Sequence, residues 1–198
     1  MKKFGTLSFV FLLGLVLAGQ VSGQAKFGPK TEPYLKIFSG GTYHMAASMT
    51  ADNVSTNTEI FVKGDLFASA MSSPAGNVRI VSRDKKTYMI MESTKMIMVT
   101  AAQDKSRTGA VDAGSLKFTG SGSAVFAGKN LPYEEYTAND NGKVQFFVDG
   151  NKLAGMRNII PGQPAVDVVI SALDQNVPDS VFTVPTSGYQ VQDMSKGF

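Results

Sequence analysis

Thr42-Tyr43-His44-Met45-Ala46-Ala47-Ser48-Met49-Thr50 alternates along almost its whole length. Tyr43, Met45, Ala47 and Met49 share one parity, while Thr42, His44, Ser48 and Thr50 share the other. A period of two belongs to a half-buried strand, because successive side chains leave a pleated backbone on opposite sides. Similar short segments follow at 58–63, 66–71, 77–82, 87–91, 95–100, 116–121, 133–137, 143–148, 153–158, 165–173 and 181–184. The links between them are rich in turn formers: Lys63-Gly64-Asp65, Ser73-Pro74-Ala75-Gly76, Arg83-Asp84-Lys85, Asn139-Asp140-Asn141-Gly142 and Asp149-Gly150-Asn151. Many short strands at this spacing predict an all-β antiparallel meander. Twenty glycines in 198 residues, about 10% against a typical ~7%, suit a turn-rich chain. The small, polar link between Thr100 and Leu116 breaks the rhythm, and 187–198 reads as turn and tail.

Composition removes whole classes of chemistry. The chain has no Cys and a single His, His44. Disulfides, thiolate nucleophiles, Cys-ligated zinc or iron–sulfur sites and two-His metal sites are therefore excluded. Lys2 and Lys3, the apolar run Phe9–Ala18, and small residues at Val21, Gly23 and Ala25 read as a cleavable secretory signal, since the apolar run is too short to span a bilayer. Without Lys2 and Lys3 the 19 Lys+Arg become 17 against 16 Asp+Glu. A near-neutral mature chain without a basic run points away from nucleic acid.

Neither the motifs nor the lone histidine point to catalysis. No Gly-x-Ser-x-Gly elbow, P-loop or His-Glu-x-x-His occurs. His44 lies on the polar parity of its strand with no nucleophile or carboxylate nearby in sequence, so it reads as structural. Glu134 and Glu135 are neighbours on a strand and point to opposite faces, which rules out an acid/base pair.

Methionine placement is the informative signal. Met89, Met91, Met96 and Met98 flank one charged turn and interleave with Tyr88, Ile90, Ile97 and Val99. Both faces of this hairpin are apolar, so either both are covered or one lines an apolar pocket; the adaptable Met side chain suits irregular ligands such as acyl chains. With both faces covered, Met96→Asp combined with Met98→Asp is expected to prevent folding.

Three segments carry a family resemblance. Asp84-Lys85-Lys86-Thr87-Tyr88 followed by Lys95-Met96-Ile97-Met98-Val99, the pair Phe118-Thr119-Gly120 and Tyr133-Glu134-Glu135-Tyr136, and Val177-Pro178-Asp179-Ser180-Val181-Phe182-Thr183-Val184-Pro185 with Gly188-Tyr189 resemble the hairpins and closing strand of the lipoprotein-localisation (LolA/LolB-like) superfamily. The likeness covers roughly residues 40–190 by element order and is nearest to members without assigned function. It implies a strongly curved antiparallel sheet, an incomplete β-barrel with minor helix, whose apolar concave face is closed by a short lid. Two departures concern that lid. Lys26 to Phe38 contains Pro29 and Pro33 and is expected to be too short for a good N-terminal helix, and the 100–115 link is not amphipathic.

The expected organisation is a signal peptide (1–25), an N-terminal segment (26–39), the open barrel (40–190) and a C-terminal tail (191–198). The expected function is a non-enzymatic carrier or binding protein for a lipid, acyl chain or lipoprotein, periplasmic or else secreted where the host has no outer membrane, and touching a membrane only transiently. Its ligand-binding residues are read as Tyr43, Met45, Met49, Tyr88, Ile90, Met96, Met98 and Phe147, or the opposite parity, with no catalytic residue, metal or cofactor. The alternative is a structural or protein-interaction module of the cell envelope, with a self-filled barrel and an envelope protein as partner.

Overall fold

The structure is a computed structural model, which describes residues 27–51, 54–74, 76–102, 116–137, 142–185 and 187–195. One helix, α1 (Glu32–Ser39), precedes β1 (Thr42–Ala51), β2 (Val54–Lys63), β3 (Leu66–Ser73), β4 (Gly76–Arg83), β5 (Lys86–Met91) and β6 (Met96–Ala101). The second half comprises β7 (Lys117–Phe126), β8 (Lys129–Thr137), β9 (Lys143–Asp149), β10 (Lys152–Ile159) and β11 (Val166–Asp174), then a 3-10 turn (Asp179–Phe182) and β12 (Gln190–Asp193). All twelve strands form one sheet in the order β12-β6-β5-β4-β3-β2-β1-β11-β10-β9-β8-β7. Pairing is antiparallel throughout except where β12 runs parallel to β6. β12 and β7 are its edges, so the barrel is open.

Two meanders, β1–β6 and β7–β11, are joined at a single seam. There Met45 pairs with Leu173, and after an irregularity at Ala46/Ala47 Met49 pairs with Val168. Turn geometry sets the hairpin registers: Asp84 and Lys85 both have positive φ between β4 and β5, as a two-residue type I′ connection requires. Gly155 has φ +157, and a Cβ there would lie 2.2 Å from the Val168 carbonyl oxygen and 2.5 Å from the Phe126 ring. Only glycine lets β10 pass between β11 and that ring.

The strand registers sort the side chains onto two faces. One carries α1: Leu35 and Phe38 pack with Tyr43, Met45, Ile60, Val62, Tyr136, Val144, Phe146, Met156 and Ile170. A single two-turn helix meets strands from β8 to β2, so the sheet curls around it and this face is the inner one. On the outer face Ala68, Val81, Ile90, Ile97 and Val99 are covered by Phe182 and by Val177, Val181 and Val184 of the C-terminal segment. Farther along, Phe126 stacks on Phe147 with ring centroids 4.4 Å apart. Arg157 donates to the Val125 carbonyl at 3.0 Å and lies over the Phe147 ring, so the β7–β8 end folds back over β9 and β10.

Three elements depart from the sequence expectations. The segment around Pro29 and Pro33 does form a helix, because Pro33 sits in the first turn, where its missing N–H has no helical partner to lose. Thr31 is the N-cap but makes no side-chain cap bond. The buried Glu134 carboxylate of β8 caps the helix instead, accepting from the Lys30 N–H (3.1 Å), the Thr31 N–H (2.9 Å) and the Thr31 hydroxyl (2.6 Å). With the Thr31 proton committed to Glu134, the Tyr136 hydroxyl donates to Thr31 Oγ1 at 2.5 Å and accepts from the Gly28 N–H at 2.8 Å. Burial raises the Tyr136 phenol pKa, with the Thr31 and Gly28 bonds opposing it. A side chain at Gly28 would collide with the Glu134 carboxyl group.

The expected strand at 181–184 is a 3-10 turn leading into extended chain. It is bounded by Pro178 and Pro185, which cannot donate to a ladder. Its carbonyls take guanidinium donors instead: Arg79 reaches Val181 and Thr183, and Arg83 reaches Phe182. The expected tail contains β12, which extends the sheet at β6, with flanking bonds from the Gln190 N–H to the Lys95 carbonyl and from the Met194 N–H to the Val99 carbonyl. The expected signal peptide and most of the 100–115 link lie outside the described residues.

Two outcomes test this arrangement. Glu134→Ala leaves the buried Thr31 hydroxyl without its acceptor, at about 1–3 kcal/mol for such a group, and removes the carboxylate from the Lys30 and Thr31 N–H groups. Chemical denaturation is expected to show a loss of at least that size, and hydrogen exchange to show selective loss of α1 protection; unchanged α1 protection would sink the role of Glu134. Ser195 hydroxyl and N–H donors and the Lys86 ammonium hold the Asp193 carboxyl at about 2, below its usual 3.8. A depressed carboxylate contributes stability above its unfolded pKa and loses it as pH falls through the folded value. The β12 protection factors should therefore decline between about pH 4 and pH 2, and their persistence at pH 2 would contradict this.

Candidate functional site

The inner face has two unequal halves. From β8 across to β2 it is filled by α1 and the large side chains beneath it, with Leu35, Tyr43, Tyr136 and Phe146 almost inaccessible. From β3 to β6 no described helix covers it. The registers Met45↔Ile60, Ile60↔Ser69, Ser69↔Ile80, Ile80↔Met89 and Met89↔Met98 form one row across six strands. The adjacent row runs Ala47, Thr58, Met71, Val78, Met91, Met96. Each row begins buried at β1 and ends in methionine at β5 and β6. Met71, Met91, Met96 and Met98 are half-buried and Met89 is 38% exposed.

These methionines are only partly covered, which corrects one expectation. The β5–β6 hairpin is not covered on both faces. Tyr88, Ile90, Ile97 and Val99 face the outer side under the C-terminal segment, and the methionines face the open half of the inner side. Unbranched side chains with three rotatable bonds and a polarizable sulfur give such a surface an adjustable shape.

The sequence-read site residues divide between the two faces. Tyr43, Met45, Met49, Met96 and Met98 lie on the inner face, but Tyr43 and Met45 are buried under α1. Tyr88, Ile90 and Phe147 lie on the outer face, Ile90 beneath Phe182 and Phe147 beneath Phe126. Met71 and Val78 share the open surface and were missed; Met89 and Met91, singled out with their hairpin but left out of the set of ligand-binding residues, join them there. Cross-strand register would have found them, but it follows from the turns, not from any one strand.

His44 also has a partner that local sequence could not supply. Pairing of β1 with β11 places Asp174 Oδ2 3.1 Å from His44 Nδ1, and the imidazole stacks on Phe61 with centroids 4.6 Å apart. The Asn176 N–H chiefly, with His44 assisting against burial, holds the Asp174 carboxyl below its usual range. The other ring nitrogen, Nε2, is buried and has no hydrogen-bond partner among the described residues. Glu135, opposite in facing to Glu134, is bound by Lys143 and Gln145 on the outer side. No group of three His, Cys, Asp or Glu suited to a metal occurs among the described residues, nor does a helix long and apolar enough to cross a membrane.

No protein-family model and no curated protein matches the sequence. Solved structures do. An uncharacterised conserved protein from Thermus thermophilus superposes with a TM-score of 0.54 at 9% identity, over 82% of this chain and 98% of that one. The two share a fold. A LolA superfamily protein from Nitrosomonas europaea also matches, with a TM-score of 0.39 at 12% identity, over 79% of this chain and 99% of that one. So does a putative outer membrane lipoprotein-sorting protein domain from Vibrio parahaemolyticus, with a TM-score of 0.35 at 10% identity, over 75% of this chain and 95% of that one.

Because the methionine parity is open, Met96→Asp with Met98→Asp is now expected to leave a folded protein, with a melting temperature lowered by a few degrees. Ile90→Asp, which buries an unpaired carboxylate under Phe182, is expected to abolish folding. Circular dichroism melts of both variants check the assignment, and equal tolerance of the two would refute it.

Proposed function

We propose that the protein is a non-enzymatic extracytoplasmic carrier or binding protein that takes an acyl chain, of a lipid or a lipoprotein, onto the open half of its inner face. The observation that carries this is the methionine surface. The half-buried or exposed methionines Met71, Met89, Met91, Met96 and Met98, on β3, β5 and β6, continue the buried rows of the core into solvent. An acyl chain laid along them would extend that core, and apolar burial is worth roughly 25 cal/mol per Å². Ligand sites are concave and mostly apolar, and here one wall is already formed by α1 and its core. The resemblance to the lipoprotein-localisation superfamily and the expected signal peptide support the same reading, with the periplasm as the compartment in which the protein acts.

The filled half of the face favours a second reading. A barrel whose interior is taken up by α1 and its aromatic neighbours needs no cargo, and the protein would then act as an interaction module of the cell envelope through an edge strand.

Native mass spectrometry with organic extraction, on mature protein purified without detergent, separates the two. The carrier reading expects stoichiometric lipid or acylated peptide, saturable uptake of a fluorescent fatty acid, and loss of uptake in the Met96→Asp, Met98→Asp variant. A clean apo mass with no uptake would reject it in favour of the interaction module.

A further inference from the structure

We propose that the four methionines of the β5–β6 hairpin form a binding site for a soft monovalent metal ion of the copper(I) class. Met89 pairs with Met98 and Met91 pairs with Met96 across adjacent strands. All four point to one face, and on each strand the two methionines are two residues apart. Directly opposed Cβ atoms in an antiparallel pair are about 5 Å apart, and same-face neighbours along a strand about 7 Å. The centre of that rectangle therefore lies ~4 Å from each Cβ. A methionine sulfur stands two bonds beyond Cβ, and metal–sulfur bonds are about 2.3 Å. Three or four thioethers can thus converge on one ion above the hairpin without any movement of the backbone.

The donor chemistry selects the ion. Neutral, polarizable thioethers suit soft ions such as copper(I) and bind hard divalent cations poorly. No described cluster of His, Asp or Glu offers a harder ion a competing site. The chain has no thiol to compete for a soft one. Met89, 38% exposed, gives the ion access. Arguments from thiolate and imidazole ligands pass over this hairpin because thioethers belong to neither class. The site uses sulfur specifically, and leucine removes the donor atoms while keeping an apolar side chain of similar volume.

The test uses the full mature chain with methyl-labelled methionine and silver(I), a redox-inert stand-in for copper(I). The methyl signals of Met89, Met91, Met96 and Met98 are expected to shift together and saturate at one ion per chain. Those of the buried Met45 and Met156 should not move. Replacing the four by leucine, which is close in volume, should abolish silver(I) binding while circular dichroism still reports a folded sheet. His44→Asn should leave silver(I) binding unchanged. Should the fourfold variant fail to fold, Met91→Leu and Met96→Leu are each expected to weaken binding about tenfold, equivalent to roughly 1.4 kcal/mol. Absence of a one-to-one complex, equal binding by the leucine variants, or loss of binding in His44→Asn would overturn the proposal. Absence of fatty-acid uptake by the wild-type protein would overturn the carrier reading alone.

Discussion

The buried carboxylate of Glu134 is the constraint on which the other elements depend. A helix of two turns has little stability of its own, because nucleation is costly and few bonds follow. This one begins beside a proline and lacks a side-chain cap of its own. Glu134 fixes the turn that leads into it, accepting from the Lys30 and Thr31 N–H groups and the Thr31 hydroxyl at the helix N-terminus, from a strand more than 100 residues away. The chain of donors from Gly28 through Tyr136 and Thr31 to Glu134 uses each proton once, so this polar cluster sits inside an apolar core with its chief hydrogen bonds made. Held there, α1 covers the inner face from β8 to β2 and leaves the stretch from β3 to β6 open.

The outer face is closed by other means. From β3 to β6 it lies under the C-terminal segment, tied down by Arg79 and Arg83 on backbone carbonyls, by Lys63 on Asp179, and by the Tyr189 hydroxyl on the Glu92 carboxylate. The folded-back β7–β8 end does the same for Phe147. The outer face is therefore covered at both ends of the sheet, while among the described residues the β3–β6 stretch of the inner face has no such cover. The asymmetry, more than any single residue, leaves the β3–β6 stretch of the inner face as the less covered part of the sheet among the described residues.

Much of this was legible in the sequence. Alternation and turn residues locate β1 to β11 to within a few residues, because a strand's side-chain period and a turn's φ requirements are local properties. The opposite facing of Glu134 and Glu135 follows from the same period. The failures share one cause. Pro29 and Pro33 argue against a helix only until Glu134 is brought to cap it. Val181 to Val184 has the composition of a strand, yet its carbonyls find arginines. Gln190 to Asp193 carries no strand pattern and pairs because β6 offers a free edge. His44 lacks a carboxylate until β11 lays Asp174 beside it.

From the residues in order one learns that the protein is a turn-rich antiparallel sheet, where its strands lie, and that four methionines flank the turn of one hairpin. The folded chain was needed to learn which parity is inside, that the two meanders join through β1 and β11, and that the methionines meet solvent while Ile90 and Ile97 do not. Alternation defines two faces without distinguishing them. What distinguishes them is the element that comes to lie over each, α1 on one side and the C-terminal segment on the other, and both are placed by hydrogen bonds between residues far apart in the chain.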